Sequence, residues 1–134
     1  MHEKTLGTAL PSTEALAFLG DARHSLYVRD RLVKRGLSRS KELNREAQRF
    51  VTAEAQARAY REISELLLPD EADVFRRAAN TGGLNKPKHA SVAEYRHATG
   101  FEAVIGMLSY IGDEERLALL LDRAYEVIEN DTEN

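Results

Sequence analysis

Apolar residues recur at the spacing of an α-helix along most of this chain, and the pattern is clearest near its C-terminal end. After Asp113, apolar positions repeat every three or four residues, which is typical of one buried helical face. These positions are Leu117, Leu120, Leu121, Ala124, Val127 and Ile128. No stretch alternates apolar and polar residues convincingly enough to predict a strand. The pattern predicts an all-α protein with an acidic tail that frays after Ile128.

Capping and helix-breaking residues divide this pattern into six predicted helices. The first is capped by Ser12 or Thr13 and runs to Lys34 or Arg35, with Gly36 as its stop. Its predicted apolar face consists of Leu16, Leu19, Ala22, Leu26 and Val33.

The next four helices are bounded by similar signals. Thr52 caps the third helix, and Pro69 ends it because proline cannot continue a helix. Ser91 and Glu94 form a capping box at the start of the fifth. The predicted ranges are 40–47, 52–68, 70–79 and 91–110.

Residues 80–90 contain paired glycines, a proline and two lysines, and they predict a loop. The loop is either a ligand-contact segment or a plain connector. We find no repeat or linker, so residues 1–134 are expected to form one domain with its core at about 13–128.

Composition restricts the class of protein. The 134 residues are 43 % hydrophobic and 31 % charged, as in an ordinary globular domain. No apolar stretch approaches the roughly 20 residues that span a bilayer, and no leader is evident. The chain has no cysteine, which excludes disulfides and thiolate metal sites. We therefore expect a cytoplasmic protein without membrane association.

The net charge of −3 hides a segregated distribution. Basic residues crowd positions 23–49 and recur around positions 76–96, whereas acidic residues gather after position 113. Such a surface attracts a polyanion locally despite the negative total. The alternative is that these charges are only solvated helix faces.

Two carboxylates carry the candidate chemistry. Asp21 and Glu102 each lie beside or near a glycine in an apolar helical run, at 16–22 and 99–106. If the two helices cross with Gly20 and Gly106 in contact, Asp21 faces Glu102. Because two carboxylates at one point repel, a divalent cation such as Mg²⁺ is the natural shared partner. The alternative reading is two solvated acids.

In their order along the chain, these segments resemble mini-ribonuclease III, the compact branch of the ribonuclease III family. The resemblance covers roughly residues 13 to 121. Its main segments are 15–22 (ALAFLGDA), 27–30 (YVRD), 51–57 (VTAEAQA) and 101–106 (FEAVIG), together with Arg77, Asn80, Gly83, Pro87-Lys88, Tyr95-Arg96 and Thr99.

The resemblance implies the all-helical ribonuclease III domain, acting as a homodimer without the double-stranded-RNA-binding domain of larger relatives. It implies Mg²⁺-dependent cleavage of double-stranded RNA, with Mn²⁺ as a substitute, giving 5′-phosphate and 3′-hydroxyl ends. The implied substrate is the 23S ribosomal RNA precursor, with a ribosomal protein as a candidate aid to its presentation. Asp21 and Glu102 would be the catalytic metal ligands, and Glu14 and Thr99 outer-shell residues. The implied RNA-binding residues are Arg76, Arg77, Asn80, Lys86, Lys88, Tyr95 and Arg96.

The chain departs from the family pattern in two places. Arg23, His24 and Ser25 follow Gly-Asp-Ala, where the family usually has apolar residues and a glutamate. Residues 77–80 read Arg-Ala-Ala-Asn instead of Arg-Gly-Arg-Asn. The lost arginine is expected to weaken phosphate contact and to affect RNA affinity or the choice of cleavage site, whereas the metal ligands are unchanged. The histidines at positions 24, 89 and 97 lack zinc-site spacing and are expected on the surface or against RNA.

Two other classes of function compete with the nuclease. One is a catalytically silent ribonuclease III-like module that binds RNA or assists ribosome assembly. The other is a helical interaction protein in which the two acids pair with arginines such as Arg23 or Arg96.

Overall fold

The structure, a computed structural model, describes residues 9–81 and 91–131. Within these ranges the chain forms six α-helices, a short 3₁₀ turn and no strand. The helices are α1 (Thr13–Lys34), α2 (Ser40–Val51), α3 (Ala53–Ile63), α4 (Pro69–Thr81), α5 (Val92–Ile111) and α6 (Glu114–Asp131), and the 3₁₀ turn is Ser64–Leu66. The all-α prediction is confirmed.

The predicted helix caps are present. The Ser12 hydroxyl accepts a hydrogen bond from the Ala15 amide at 3.1 Å, and Gly36 follows α1 with a φ of 95°. Thr52 caps α3 in the same way. Both hydrogen bonds of the capping box between Ser91 and Glu94 form, each at 3.0 Å. These polar residues satisfy amide groups that the first helical turn leaves without partners.

Several helix ends differ from the prediction. Helix α2 continues past Ala47 to Val51, which carries Phe50 into the core. Pro69 begins α4 instead of ending α3, a position where its missing N–H costs nothing. Helix α4 reaches Thr81, so Asn80 is helical and not part of a loop. Residues 82–90 lie outside the described residues. Helix α6 continues past Ile128 to Asp131, whose carboxylate is bound by Arg58.

Helix α5 is the centre of the molecule. It packs against α1, α3, α4 and α6, and it is buried on almost every side through its second half. A helix that is apolar all round is typical of a core position. A second cluster closes the other end of the domain, where the rings of Phe50 and Tyr125 stack with centroids 4.3 Å apart. Within the described residues, no helix has the length and apolarity needed to cross a membrane.

The buried face of α1 differs from the predicted one. Leu16 is buried as expected, but Ala22 is exposed, and the side chains of Leu26 and Val33 are 61 % and 60 % exposed. The residues that α1 buries are Leu16, Gly20, His24, Val28 and Leu32. The prediction selected the bulkier apolar stripe, whereas close contact with α5 requires the stripe that contains glycine. Of the predicted face, Ala22, Leu26 and Val33 remain at the surface.

Candidate active site

Helices α1 and α5 cross with their backbones in contact. A Cβ atom added to Gly20 would overlap the carbonyl oxygen of Glu102, and one added to Gly106 would overlap that of Leu16. Neither position has room for any side chain. The crossing predicted from the two glycines is therefore confirmed.

The crossing brings the two candidate carboxylates together. Asp21 is exposed, and its side chain hydrogen-bonds that of the half-buried Glu102. The pKa of Glu102 is raised to about 9, first by burial and then by the hydrogen bond and negative charge of Asp21. Without a cation, Glu102 thus keeps a proton at neutral pH and is hydrogen-bonded to Asp21.

Two buried polar side chains support the pair from inside. His24 and Gln56 are 4 % and 3 % exposed, and Gln56 Nε2 lies 3.2 Å from His24 Nδ1. Gln56 also hydrogen-bonds Glu102. Burial lowers the pKa of His24 to about 4, against the opposing charge of Asp21, so its ring is neutral. The expectation that His24 lies on the surface or against RNA is wrong.

The sequence contained a signal for both residues. His24 follows Gly20 by four positions and therefore continues its stripe along α1. Gln56 stands in the alanine-rich start of α3, where its neighbours Ala55 and Ala57 are buried. Gln56 is the uncharged polar residue between Glu54 and Arg58 in this run, so it is the one of the three that is least costly to bury.

The donor set fits a small hard cation. The described residues contain no group of three or more His, Cys, Asp or Glu side chains placed to hold a metal ion. Mg²⁺ is commonly bound by one or two carboxylates, with waters and substrate phosphate oxygens completing its shell. The raised pKa of Glu102 beside the Asp21 carboxylate marks a place where a cation would be stabilising. Asp21 and Glu102 would hold the ion.

The two predicted outer-shell residues differ in setting. Glu14 is exposed in the first turn of α1. Thr99 is half-buried, and its hydroxyl donates a 2.9 Å hydrogen bond to the Tyr95 carbonyl on the same helix. Neither setting tests the outer-shell role, which stays a prediction for Glu14 and Thr99.

Three of the predicted RNA-binding residues share one cleft. Arg76, Asn80 and Arg96 line a space of about 460 Å³ between α3, α4 and α5. Its floor contains the rings of Tyr60 and Phe75, which stack 3.6 Å apart. The cleft also includes His97, which is half-buried against both rings.

The other predicted contacts lie elsewhere. Arg77 binds Asp73, an acid that also pairs with Arg76, and Tyr95 is half-buried on α5. Lys86, Lys88 and His89 lie outside the described residues.

Ion pairs neutralise part of the first basic cluster. Lys34 binds Asp30, and Glu46 is shared by Arg35 and Arg49. Arg23 binds Glu114 at 2.9 Å and lies near the Ser109 hydroxyl. Arg23 therefore has its principal ion pair with an acid outside the carboxylate pair, which weakens the reading in which the two acids serve only as its partners.

Comparison with known proteins agrees with this geometry. The Ribonuclease III domain family matches residues 14–113. A mini-ribonuclease 3 of Symbiobacterium thermophilum is 45 % identical over 85 % of this chain and 88 % of its own length. One from Brevibacillus brevis is 38 % identical over 98 % of both chains. A crystal structure of a Fusobacterium nucleatum protein superposes with a TM-score of 0.79 at 30 % identity, covering 86 % of this chain and 92 % of that one. The chain belongs to the ribonuclease III family, and within it to the mini-ribonuclease 3 group of endoribonucleases.

Proposed function

We propose that this protein cleaves double-stranded RNA by Mg²⁺-dependent phosphodiester hydrolysis, with Mn²⁺ able to replace Mg²⁺. The observation that carries the proposal is the hydrogen-bonded pair of Asp21 and Glu102 at the crossing of α1 and α5. When bound, the cation supplies an activated water and stabilises the charge that develops on the phosphate. The products carry 5′-phosphate and 3′-hydroxyl ends.

The two acids have complementary tasks. Glu102 is half-buried and held from inside by Gln56, so its carboxyl group has a fixed position. Asp21 is exposed, which leaves the outer side of the pair open to a phosphodiester. Binding of the cation requires Glu102 to release its proton, so cleavage and cation affinity both increase as the pH rises.

Binding of duplex RNA fits the basic cleft beside α4. Duplex RNA is recognised mainly through phosphates and 2′-hydroxyls across its shallow minor groove. Arg76, Arg96 and Asn80 offer charged and amide donors at the rim of the cleft, and Lys86 and Lys88 follow directly along the chain. We further propose the 23S ribosomal RNA precursor as the physiological substrate, with a ribosomal protein helping to present it.

The exposed apolar stripe of α1 supports a homodimer. Phe18 is 83 % exposed, and Ala22, Leu26 and Val33, which share its side of α1 beside Asp21, are exposed as well. We propose that a second copy of the chain covers this stripe. Gel filtration with light scattering measures the molar mass, and Leu26→Asp should have the mass of a monomer. Gln48→Asp, which makes an equal charge change at an exposed position of α2, should have the mass of a dimer. A dimer in both variants would refute this interface.

The decisive test is cleavage of a perfectly paired RNA in Mg²⁺ and in EDTA, with Asp21→Asn and Glu102→Gln beside the wild type. Cleavage that requires Mg²⁺ and is absent from both variants supports the nuclease and its two ligands. Intact RNA in every lane, together with a shift on a native gel, would instead indicate an RNA-binding module on a nuclease fold.

A further inference from the structure

A chain of buried hydrogen bonds leads from the interior to Glu102. His24 on α1 and Gln56 on α3 are almost fully buried and bonded to each other, and Gln56 bonds Glu102 on α5. Buried polar groups are costly unless protein partners replace the lost water. Three helices therefore contribute one connected polar group to an otherwise apolar core.

The chemistry of the amide fixes the direction of these hydrogen bonds. The amide nitrogen of Gln56 can only donate, so His24 Nδ1 must accept, and the ring proton of His24 lies on Nε2. The second amide hydrogen remains for the Glu102 carboxyl oxygen. The Glu102 carboxyl group is therefore held by a donor whose own position is fixed by His24.

His24 is itself held in place by packing. Its ring meets Phe101 edge to face, with centroids 5.1 Å apart and planes at 84°. Phe101 directly precedes Glu102, so the ring and the carboxylate are attached to the same turn of α5. Because glutamine has several rotatable side-chain bonds, one contact alone would leave its amide free to move. The contact with His24 gives Gln56 a second fixed point.

We propose that Gln56 is a positioning residue that holds the Glu102 carboxylate in its cation-binding orientation, and that His24 anchors Gln56. The inference rests on the proposed function only in taking Asp21 and Glu102 as cation ligands. Hydrogen-bond partners of metal ligands typically change metal affinity by about 10–100-fold when they are removed.

The test measures Mn²⁺ affinity of the full chain without RNA, by the electron paramagnetic resonance signal of free Mn²⁺. Gln56→Met keeps the side-chain length and removes the donors. His24→Phe keeps the ring and removes the acceptor, whereas His24→Asn keeps an acceptor at the position of Nδ1 and removes the ring. Gln48→Met makes the same exchange as Gln56→Met at an exposed site. Circular dichroism selects variants that fold.

We expect Gln56→Met and His24→Phe to weaken Mn²⁺ binding by about tenfold, His24→Asn to recover part of the loss, and Gln48→Met to match the wild type. Unchanged affinity in Gln56→Met overturns the inference. Equal losses in His24→Phe and His24→Asn overturn the anchoring role of His24. If the wild type binds Mn²⁺ but leaves duplex RNA intact, the proposed function alone is refuted. If the wild type cleaves RNA and Gln56→Met binds Mn²⁺ as tightly as the wild type, this inference alone is refuted.

Discussion

Gly20 on α1 lies so close to the peptide carbonyl of Glu102 on α5 that no side chain fits between them. Gly106 stands in the same relation to the carbonyl of Leu16. Asp21 directly follows Gly20, and the carbonyl in this contact belongs to Glu102 itself, so the backbones of both acids lie at the point where the helices touch. The distance between the two acids is therefore set by backbone packing.

Replacing either glycine should damage stability and activity together. A methyl group at Gly20 or Gly106 overlaps backbone atoms, which cannot move aside as a flexible side chain can. We expect Gly20→Ala to lower the free energy of unfolding by about 3 kcal/mol, the upper range for overpacking, in urea titrations. Gly36→Ala is the control, because that residue has open space and only a positive φ, worth about 1–2 kcal/mol. Equal losses in the two variants would refute the backbone contact.

Stability of the metal-free protein should fall as the pH rises from about 6.5 toward 9. The unfolded chain ionises Glu102 near its ordinary pKa of 4.5, whereas the folded chain holds the proton to about 9. The folded state thus binds more protons in this interval, and stability decreases with pH. Below 6.5 the depressed pKa of His24 gives the opposite slope, since stability is lost as the unfolded ring takes up a proton.

Urea unfolding in EDTA across this interval measures the slope. Glu102→Gln should remove the part of it that Glu102 contributes. Asp21→Asn should reduce it, because the hydrogen bond and charge of Asp21 help to raise the pKa of Glu102. A slope that is the same in Glu102→Gln and the wild type would show that Glu102 does not hold the proton.

Mg²⁺ should raise the melting temperature of the wild type and leave Asp21→Asn and Glu102→Gln unchanged. A ligand that binds only the folded state adds about 2.7 kcal/mol of stability at a concentration of about 100 Kd. Differential scanning fluorimetry with Mg²⁺ and with an equal ionic strength of NaCl separates binding from screening. An equal rise in all three proteins would exclude the carboxylate pair as the binding site.

The all-helical fold and the meeting of Asp21 with Glu102 could be predicted from the sequence, whereas the role of the two acids as metal ligands came from the family resemblance and stays a prediction. Helical periodicity and caps predicted the elements, and two glycines predicted the crossing that joins Asp21 to Glu102. The buried face of α1 was predicted wrongly since it depends on which stripe meets α5. His24 and Gln56 bond across 32 positions of the chain. Such a contact depends on tertiary packing, which periodicity within one helix does not contain.

Loss of Arg116 should be far more costly than loss of an ordinary surface arginine. Arg116 on α6 donates two hydrogen bonds, of 2.8 and 2.9 Å, to the fully buried carboxylate of Glu71 on α4. Arg116→Met leaves that charge without its main cation, which typically costs about 3–5 kcal/mol. Arg123→Met, which breaks an exposed pair with Glu126, should cost at most about 1 kcal/mol. Urea unfolding of both variants gives the comparison, and similar losses would refute it.

Lys86→Ala combined with Lys88→Ala should weaken RNA binding and leave slow cleavage at saturating RNA. Both lysines follow α4, whose end lines the basic cleft with Arg76 and Asn80. Removing two phosphate contacts should also flatten the dependence of affinity on salt by about two units of slope. Lys34→Ala with Lys41→Ala gives the same change in net charge on α1 and α2, away from this cleft. Filter binding over a salt series should show a larger loss for the first pair. Equal losses of affinity in the two double variants would mean that overall charge, and not this segment, attracts the RNA. If the Lys86 and Lys88 variant instead binds RNA but cleaves it at no RNA concentration, the lysines act in the chemical step.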